Sequence, residues 1–252
     1  MPNIVTAATA PARPSDRLIV ALDVERESDA RAIVDELDGI ATTFKIGLQL
    51  FTSAGPQFVR RMAEAGHRIF LDLKFHDIPN TVAKAAVEAA RLGVWMFNVH
   101  ASGGNEMMSR AVYEVGEVCE KESLRTPLIV GVTVLTSSSG DALTENGIVE
   151  PVEEHGLRLA RLAQRSGLDG VVASAIEAEA VHRKLGPGFA VVTPGIRPES
   201  GTNDDQKRVM TPGEAVRAGS DYLVVGRPIT GSQDKRSAAA RILEEISEAV
   251  ND

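Results

Sequence analysis

Residues 68–81 read RIFLDLKFHDIPNT and combine the end of one strand with the start of one helix. The apolar run at 69–71 predicts a buried strand, and Pro79 followed by Asn80 predicts the break before a helix. Seven further apolar runs, each followed by a helical pattern, repeat this arrangement along the chain. The eight predicted strands are Leu18–Val24, Thr43–Leu48, Arg68–Phe75, Met96–His100, Leu128–Leu135, Gly170–Ser174, Ala190–Gly195 and Tyr222–Gly226.

Eight strand–helix units in a chain of 252 residues predict a (β/α)8 TIM barrel, for which ~250 residues is typical. A doubly wound open sheet is the alternative, but no G-x-G-x-x-G sequence follows the first strand. Neither a linker nor a shift in composition divides the chain. We therefore predict a flexible N-terminal tail at 1–16 and a single α/β barrel domain at 17–252.

The composition limits the partners and locations that we expect. A net charge of −8 argues against a general nucleic-acid binder, which would need a basic surface. No apolar run reaches the ~18 residues that a membrane span requires. The single cysteine, Cys119, excludes an internal disulfide and indicates a reducing compartment, and residues 1–16 lack the pattern of a signal peptide. We therefore expect a cytoplasmic protein with neither nucleic-acid nor membrane partners.

Opposite charges are concentrated at the end of the third predicted strand. Because side chains alternate along a strand, Asp72 and Lys74 are predicted to share one face, with Leu71 and Leu73 on the other. A charge buried in a strand costs several kcal/mol unless it is paired. With Asp77 close behind, this concentration of charge predicts a catalytic site.

Other strand ends carry polar residues that a barrel would gather at one mouth, where the active sites of such barrels lie. Asp23 and Lys45 end the first two strands, and together with the third strand they predict an alternating charge network, Lys45–Asp72–Lys74–Asp77. Flanking carboxylates keep a lysine protonated, which suits a general acid better than a Schiff-base nucleophile. The remaining strand-end residues are His100, Thr136, Ser174, Arg197 and Arg227.

The last two strands predict a phosphate site, because barrels often bind phosphate at the loops that follow these strands. Gly226 would let a backbone N–H approach a ligand closely, and Arg227 would offer several donors. The polar stretch 198–210 is long for a connector and is interpreted as a closing lid. An ordinary surface loop with a solvated arginine is the alternative.

The sequence predicts no metal site. The five histidines do not show H-x-x-x-H or H-E-x-x-H spacing, and His100 is better explained as a hydrogen-bonded barrel residue. Asp72 and Asp77 are possible Mg²⁺ ligands, but Lys45 and Lys74 would then occupy the position of the cation.

With these segments in view, the chain from Arg17 onward resembles orotidine 5'-phosphate decarboxylases of the bacterial type. The resemblance rests first on the unbroken signature at 72–81. It is supported by Ala21-Leu22-Asp23, Phe44-Lys45-Ile46-Gly47, Thr133-Val134-Leu135-Thr136-Ser137, Pro194-Gly195-Ile196-Arg197 and Val225-Gly226-Arg227-Pro228-Ile229-Thr230. No position that carries chemistry departs from the family pattern.

The resemblance implies decarboxylation of orotidine 5'-monophosphate to UMP and CO2 without cofactor or metal, in a homodimer with shared active sites. Lys74 would protonate C6 and Asp72 would lie against the substrate carboxylate. Asp23 and Lys45 would hold the ribose, and Thr136 would contact the pyrimidine. Asp77, a catalytic residue, and Thr81 would reach into the partner's site, and Ile78 would also contact substrate. The phosphate would be surrounded by Arg197, Gln206, Gly226 and Arg227.

Two alternatives stay open on the sequence. Relatives on the same barrel, 3-keto-L-gulonate 6-phosphate decarboxylase and hexulose phosphate synthases, are similar around Asp-x-Lys-x-x-Asp and use Mg²⁺. They carry a metal-binding glutamate where this chain has Lys45, and they lack the sequence at 78–81. A sensor that binds a phosphate ligand without chemistry is the other alternative, although it would have little reason to keep Asp72 and Lys74 buried.

Overall fold

In the computed structural model, which describes residues 11, 13–198 and 210–251, eight parallel strands close into a barrel in sequence order. The barrel closes where β1 pairs with β8. The predicted (β/α)8 fold is therefore confirmed. The strands are β1 (Leu18–Ala21), β2 (Thr43–Gly47), β3 (Arg68–Phe75), β4 (Met96–His100), β5 (Leu128–Val132), β6 (Gly170–Val172), β7 (Ala190–Thr193) and β8 (Tyr222–Val225).

Helices follow the strands on the outside of the barrel, and a short helix, α1, precedes β1. They are α1 (Pro14–Arg17), α2 (Glu27–Glu36), α3 (Leu48–Glu64, interrupted at Gly55), α4 (Pro79–Arg91), α5 (Gly104–Glu122), α6 (Gly140–Glu145), α7 (Val152–Arg165), α8 (Ala175–Leu185), α9 (Pro212–Arg217), α10 (Arg227–Thr230) and α11 (Lys235–Asn251). A 3-10 turn, Ala101–Gly103, links β4 to α5. None of the helices in the described ranges is both long and apolar enough to cross a membrane.

Six of the predicted strands continue past the observed strand ends. Pairing with neighbours stops at Ala21, Val132 and Val172, for example, while the predictions ran to Val24, Leu135 and Ser174. The additional residues belong to the loops at the barrel mouth, except Leu48, which begins α3. Apolar sequence alone did not separate them from the strands, since Val134 and Ala173 are buried although they lie beyond the observed strand ends.

Two apolar layers explain why the strands are buried on both faces. The larger layer packs the helices against the outside of the barrel and includes Phe44, Phe58 and Phe97. A smaller cluster takes alternate residues from the strands, among them Ile19, Phe70, Met96, Val130, Val192 and Val224, and fills the barrel interior. This interior cluster forms the floor beneath the polar residues at the mouth.

The pairing between β3 and β4 contains a bulge beside the predicted charges. Leu71 pairs with Phe97, and the next pair joins Phe75 to Val99, so residues 72, 73 and 74 lie opposite Asn98 alone. Lys74 adopts a left-handed backbone conformation with φ 52°, which few residues other than glycine take up. Simple strand alternation therefore does not explain why Asp72 and Lys74 share one site.

The opposite end of the barrel is closed by α1. Asp16 of this helix pairs with Arg68 at 3.1 Å, and the Arg68 guanidinium lies 5.0 Å from the centre of the Trp95 ring. Arg17 donates hydrogen bonds to the carbonyl oxygens of Ser220 and Asp221. Residues 14–16, which we had assigned to a flexible tail, thus form part of a helical turn that is anchored by ion pairing.

Candidate active site

A cleft of about 490 Å³ opens at the carboxyl ends of the strands. This volume lies in the range of pockets that hold a small organic ligand. Its charged lining residues are Asp23, Lys45, Asp72, Lys74, Arg197 and Arg227. The apolar residues that line the cleft are Ala21, Phe70, Val132, Val134, Leu135, Val172, Ala173, Pro194, Ile196, Val224 and Pro228.

Four of these side chains form an alternating charge row. The Lys45 ammonium lies 2.8 Å from Asp23 Oδ1 and 3.4 Å from Asp72 Oδ2. On the other side, Lys74 Nζ lies 2.6 Å from Asp72 Oδ1. We call Asp23, Lys45, Asp72 and Lys74 the charge row. The row differs from the predicted network at both ends: Asp23 extends it beyond Lys45, and Asp77 does not extend it beyond Lys74.

Burial and pairing decide the charge states inside the charge row. Burial alone would lower the pKa of Lys45, but the charges of Asp72 and Asp23 outweigh it, and the pKa lies above its ordinary value. Burial would likewise raise the pKa of Asp72. The charges of Lys45 and Lys74 and the hydrogen bonds from Lys74 and Asn98 hold that pKa below its ordinary value. Both groups are therefore charged at neutral pH.

The exposed parts of the charge row are at its ends. The side chains of Lys45 and Asp72 are 10% and 12% exposed, whereas those of Lys74 and Asp23 are 30% and 57% exposed. A ligand in the cleft would therefore meet Lys74 and Asp23 most directly. A bound ligand would also exclude water from Lys45 and Asp72, which lie behind Lys74 and Asp23. Charges interact more strongly where water is excluded.

Asn98 is a site residue that the sequence interpretation missed. Its side chain is fully buried, and its Nδ2–H donates to Asp72 Oδ1 at 2.7 Å. Its Oδ1 accepts the backbone N–H of Lys74 at 2.8 Å. The signal that was available is an amide in the middle of the apolar strand Met96–His100, on the same face as His100.

His100 lies beside the charge row without lining the cleft. Its ring centre is 5.3 Å from that of His76. Burial, and then the nearby His76 and Lys74, lower the pKa of His100, which favours the neutral imidazole. Ser174, another strand-end residue, caps helix α8 and does not line the cleft.

The residues predicted around pyrimidine and phosphate also meet at the mouth. Thr136 follows β5, Arg197 follows β7, and Arg227 begins helix α10 directly after Gly226. All four line the cleft. Gly226 lies beside the charge row, since an added Cβ would be in ordinary contact with Ala21 Cβ at 3.5 Å and with Asp23 Oδ2 at 3.6 Å. Gln206 and most of the predicted lid at 198–210 lie outside the described residues.

Three predicted site residues do not line the cleft of their own chain. Asp77, Ile78 and Thr81 are exposed at the β3–α4 junction, and Ile78 keeps 65% of its surface exposed. The Asp77 carboxylate accepts the backbone N–H of Ile78 at 2.6 Å. Among the residues described, no cluster of three or more His, Cys, Asp and Glu side chains has an arrangement that could hold a metal ion.

Residues 16–242 match the model of the orotidine 5'-phosphate decarboxylase / HUMPS family. The chain belongs to this family. A curated relative from Syntrophotalea carbinolica, named orotidine 5'-phosphate decarboxylase, is 55% identical over 236 residues, which cover 94% of this chain and 97% of the relative. A relative of the same name from Vibrio cholerae is 49% identical over 93% of this chain and 98% of its own length.

Solved structures agree with the family assignment. The crystal structure of orotidine 5'-phosphate decarboxylase from Lactobacillus acidophilus is similar with a TM-score of 0.81 and 38% identity. The similarity covers 91% of this chain and 98% of that one. An uncharacterised conserved protein from Geobacillus kaustophilus matches with a TM-score of 0.80 and 36% identity over 91% of this chain and 99% of its own.

Proposed function

We propose that this family member decarboxylates orotidine 5'-monophosphate to UMP and CO2 by electrostatic stabilisation of a carbanion at C6. The activity follows from the family and from relatives of that name at about 50% identity over most of the chain. The observation that carries the mechanism is the charge row, which faces the cleft and has an ammonium group at its end.

The chemical difficulty lies in the electron pair that CO2 leaves behind. The bond from C6 to the carboxylate breaks, both electrons stay on C6, and no adjacent carbonyl can delocalise them. The Lys74 ammonium provides positive charge at this carbon, and then transfers a proton to it. Preorganised charge of this kind contributes several kcal/mol in a site that excludes water. Solvent returns the proton to Lys74 after product leaves.

Asp72 has two functions in this proposal. Its carboxylate holds the Lys74 ammonium at 2.6 Å, so the proton donor is already oriented before substrate binds. It would also lie close to the carboxylate of the bound substrate, and the repulsion between two anions would be relieved when CO2 departs. Only the first function remains after CO2 has gone.

The remote parts of the nucleotide would supply binding energy for orientation. Asp23 and Lys45 would hold the ribose hydroxyls, and Thr136 would contact the pyrimidine. Phosphate would be bound by Arg197, Arg227, Gln206 and the backbone at Gly226, because guanidinium groups match phosphate oxygens well. Energy gained there would help to close the site over the substrate.

A homodimer with shared sites is the second part of the proposal. Its support is the exposure of Asp77, Ile78 and Thr81, which stand outside the cleft although the resemblance implies contact with substrate. A partner chain could bring these residues to the opposite cleft. UMP and orotidine 5'-monophosphate are the proposed ligands, and the cytoplasmic location stays a prediction that the unpaired Cys119 supports.

Mixing two inactive variants tests the shared site. Lys74→Ala removes the proton donor, and Asp77→Ala removes the residue that the partner would supply. If sites are shared, a mixed dimer contains one site with both Lys74 and Asp77 intact, so co-refolded mixtures should regain activity that neither variant has alone. Mixtures that stay as inactive as the separate variants would contradict sharing.

A spectrophotometric assay with orotidine 5'-monophosphate tests the activity, with EDTA in a parallel sample. We expect full turnover in both samples. Loss of turnover in EDTA would favour the Mg²⁺-using relatives on this barrel. Tight binding of UMP without release of CO2 would favour the sensor.

A further inference from the structure

Asn98 lies where the backbone pairing of the barrel is interrupted beside the charge row. Three residues of β3, Asp72, Leu73 and Lys74, face this single residue of β4. A bulge leaves backbone groups without their usual partners in the ladder, and a buried N–H needs a replacement acceptor. Asn98 Oδ1 provides it for Lys74 at 2.8 Å.

The NH2 group of the same amide orients the Asp72 carboxylate. Asn98 Nδ2–H donates to Oδ1 of Asp72 at 2.7 Å, the oxygen that also accepts from Lys74 Nζ at 2.6 Å. Asp72 Oδ2 is thereby directed toward Lys45, at 3.4 Å. The carboxylate is thus held in the plane that lets it contact both lysines of the charge row.

Only one orientation of the amide satisfies both contacts. Reversing it would set a carbonyl oxygen against the Asp72 carboxylate and an NH2 group against the N–H of Lys74. The side chain is fully buried, so water cannot relieve either clash. Both a donor and an acceptor on a short side chain are needed here, and asparagine has both.

We infer that Asn98 is a positioning residue for decarboxylation: one side-chain amide fixes both the Asp72 carboxylate and the left-handed backbone of Lys74. Asn98 does not line the cleft, so it acts through these two residues rather than on the substrate. The inference rests on the proposed function, because it assigns a role within the same catalytic row.

Two variants separate the two hydrogen bonds. Asn98→Leu removes both, and kcat should fall about 10–100-fold, the effect of one hydrogen bond to a charged group. Asn98→Asp keeps the acceptor for Lys74, but its ionised form turns a second carboxylate toward Asp72. When the introduced carboxyl is protonated, it can donate to Asp72 as the amide does.

The expected signature is therefore a pH profile. The kcat of Asn98→Asp, divided by that of the wild type at each pH, should rise as the pH falls, whereas the ratio for Asn98→Leu should stay low and flat. The charged and titratable groups near Asn98 are Asp72, Lys74, Lys45 and His100. Division by the wild-type rate cancels the titration that these groups share in both proteins.

Thr193→Val is the matched control. Thr193 is equally buried on β7, pairs with Ser220 at 2.7 Å and does not line the cleft. Loss of the Thr193 hydroxyl should lower the melting temperature without changing kcat. The affinity for UMP, measured by calorimetry, should change little in either Asn98 variant, because the ribose and phosphate residues are untouched.

The outcomes separate the inference from the proposed function. A wild type that does not release CO2 would overturn the proposed function. An active wild type whose Asn98 variants keep wild-type kcat, or lose it only as Thr193→Val does, would overturn the positioning role alone. If both variants fail to fold, the ¹⁵N signals of the Asn98 amide in the wild type decide: they should shift as Asp72 titrates, and unchanged signals would overturn the inference.

Discussion

The two ends of the barrel both bury carboxylates but use them differently. At the mouth, Asp72 contacts two lysines, and they hold its pKa below the ordinary value. At the opposite end, Asp169 and Asp221 precede β6 and β8 and accept the backbone N–H groups of Ile129 and Val191 at 2.7 and 2.8 Å.

Burial dominates at that opposite end and raises the pKa values of both aspartates, that of Asp169 to about 6. Buried charge is therefore not by itself evidence of catalysis. A carboxylate that accepts hydrogen bonds from backbone N–H groups, as Asp169 and Asp221 do, stabilises the ends of strands. A carboxylate that binds only side chains beside an open cleft holds a charge pattern ready for a ligand.

The largest effect should come from Lys74→Ala at the mouth. The variant loses both the proton donor, worth ~10²-fold or more, and preorganised charge of similar worth, so kcat should fall ~10⁴-fold or more. UMP binding should remain measurable by calorimetry. Near-normal turnover would show that Lys74 is not the proton donor. The proposed functional difference between the mouth and the opposite end of the barrel would then lose its main support.

Lys45→Met at the mouth and Arg68→Met at the opposite end compare the two ends of the barrel directly. Lys45→Met removes the central cation of the charge row, and kcat/KM should fall ~10²–10³-fold, as for other single preorganised groups. Without Lys45, the pKa of Asp72 rises, so the acid side of the pH profile should shift to higher pH.

Arg68→Met is the counterpart at the closed end. It breaks the contacts of Arg68 with Asp16 and Thr43, and unfolding free energy should fall by ~1 kcal/mol while kcat/KM is unchanged. Steady-state kinetics and thermal melts check both variants. Equal losses of activity in the two would contradict the division between the ends.

An effect on stability alone, with no change in activity, is expected from Asp169→Asn. The folded-state pKa of about 6 exceeds the ordinary 3.8, so the folded protein binds the proton more tightly and stability falls as pH rises from about 4 to 6. The full loss, about 3 kcal/mol at most, persists above that range. Asparagine keeps the acceptor for Ile129 and does not titrate.

The variant should therefore melt higher than the wild type at pH 7, and the gap should shrink as the pH is lowered to 4. Asp35→Asn, on the exposed face of α2, is the control and should show no such trend. A gap that does not depend on pH would exclude burial as the cause.

The sequence predicted the barrel because eight apolar runs alternate with helical patterns, and that pattern is local. It also predicted Asp23, Lys45, Asp72 and Lys74 at the mouth, since barrel topology brings strand ends together. The bulge at Lys74 and the contact of Asn98 were missed, because both depend on the register between β3 and β4. Residues 14–16 were misassigned for a similar reason, as their anchor, Arg68, is 52 positions away from Asp16.

The most direct test of this account is a ¹³C NMR titration of aspartate carboxyls, with signals assigned through Asp72→Asn and Asp169→Asn. We predict that the pKa of Asp72 lies below the ordinary aspartate value, because Lys45 and Lys74 stabilise the carboxylate, while Asp169 titrates near 6. Titration of Asp72 above the ordinary aspartate value would contradict a charge row that is prepared before substrate binds.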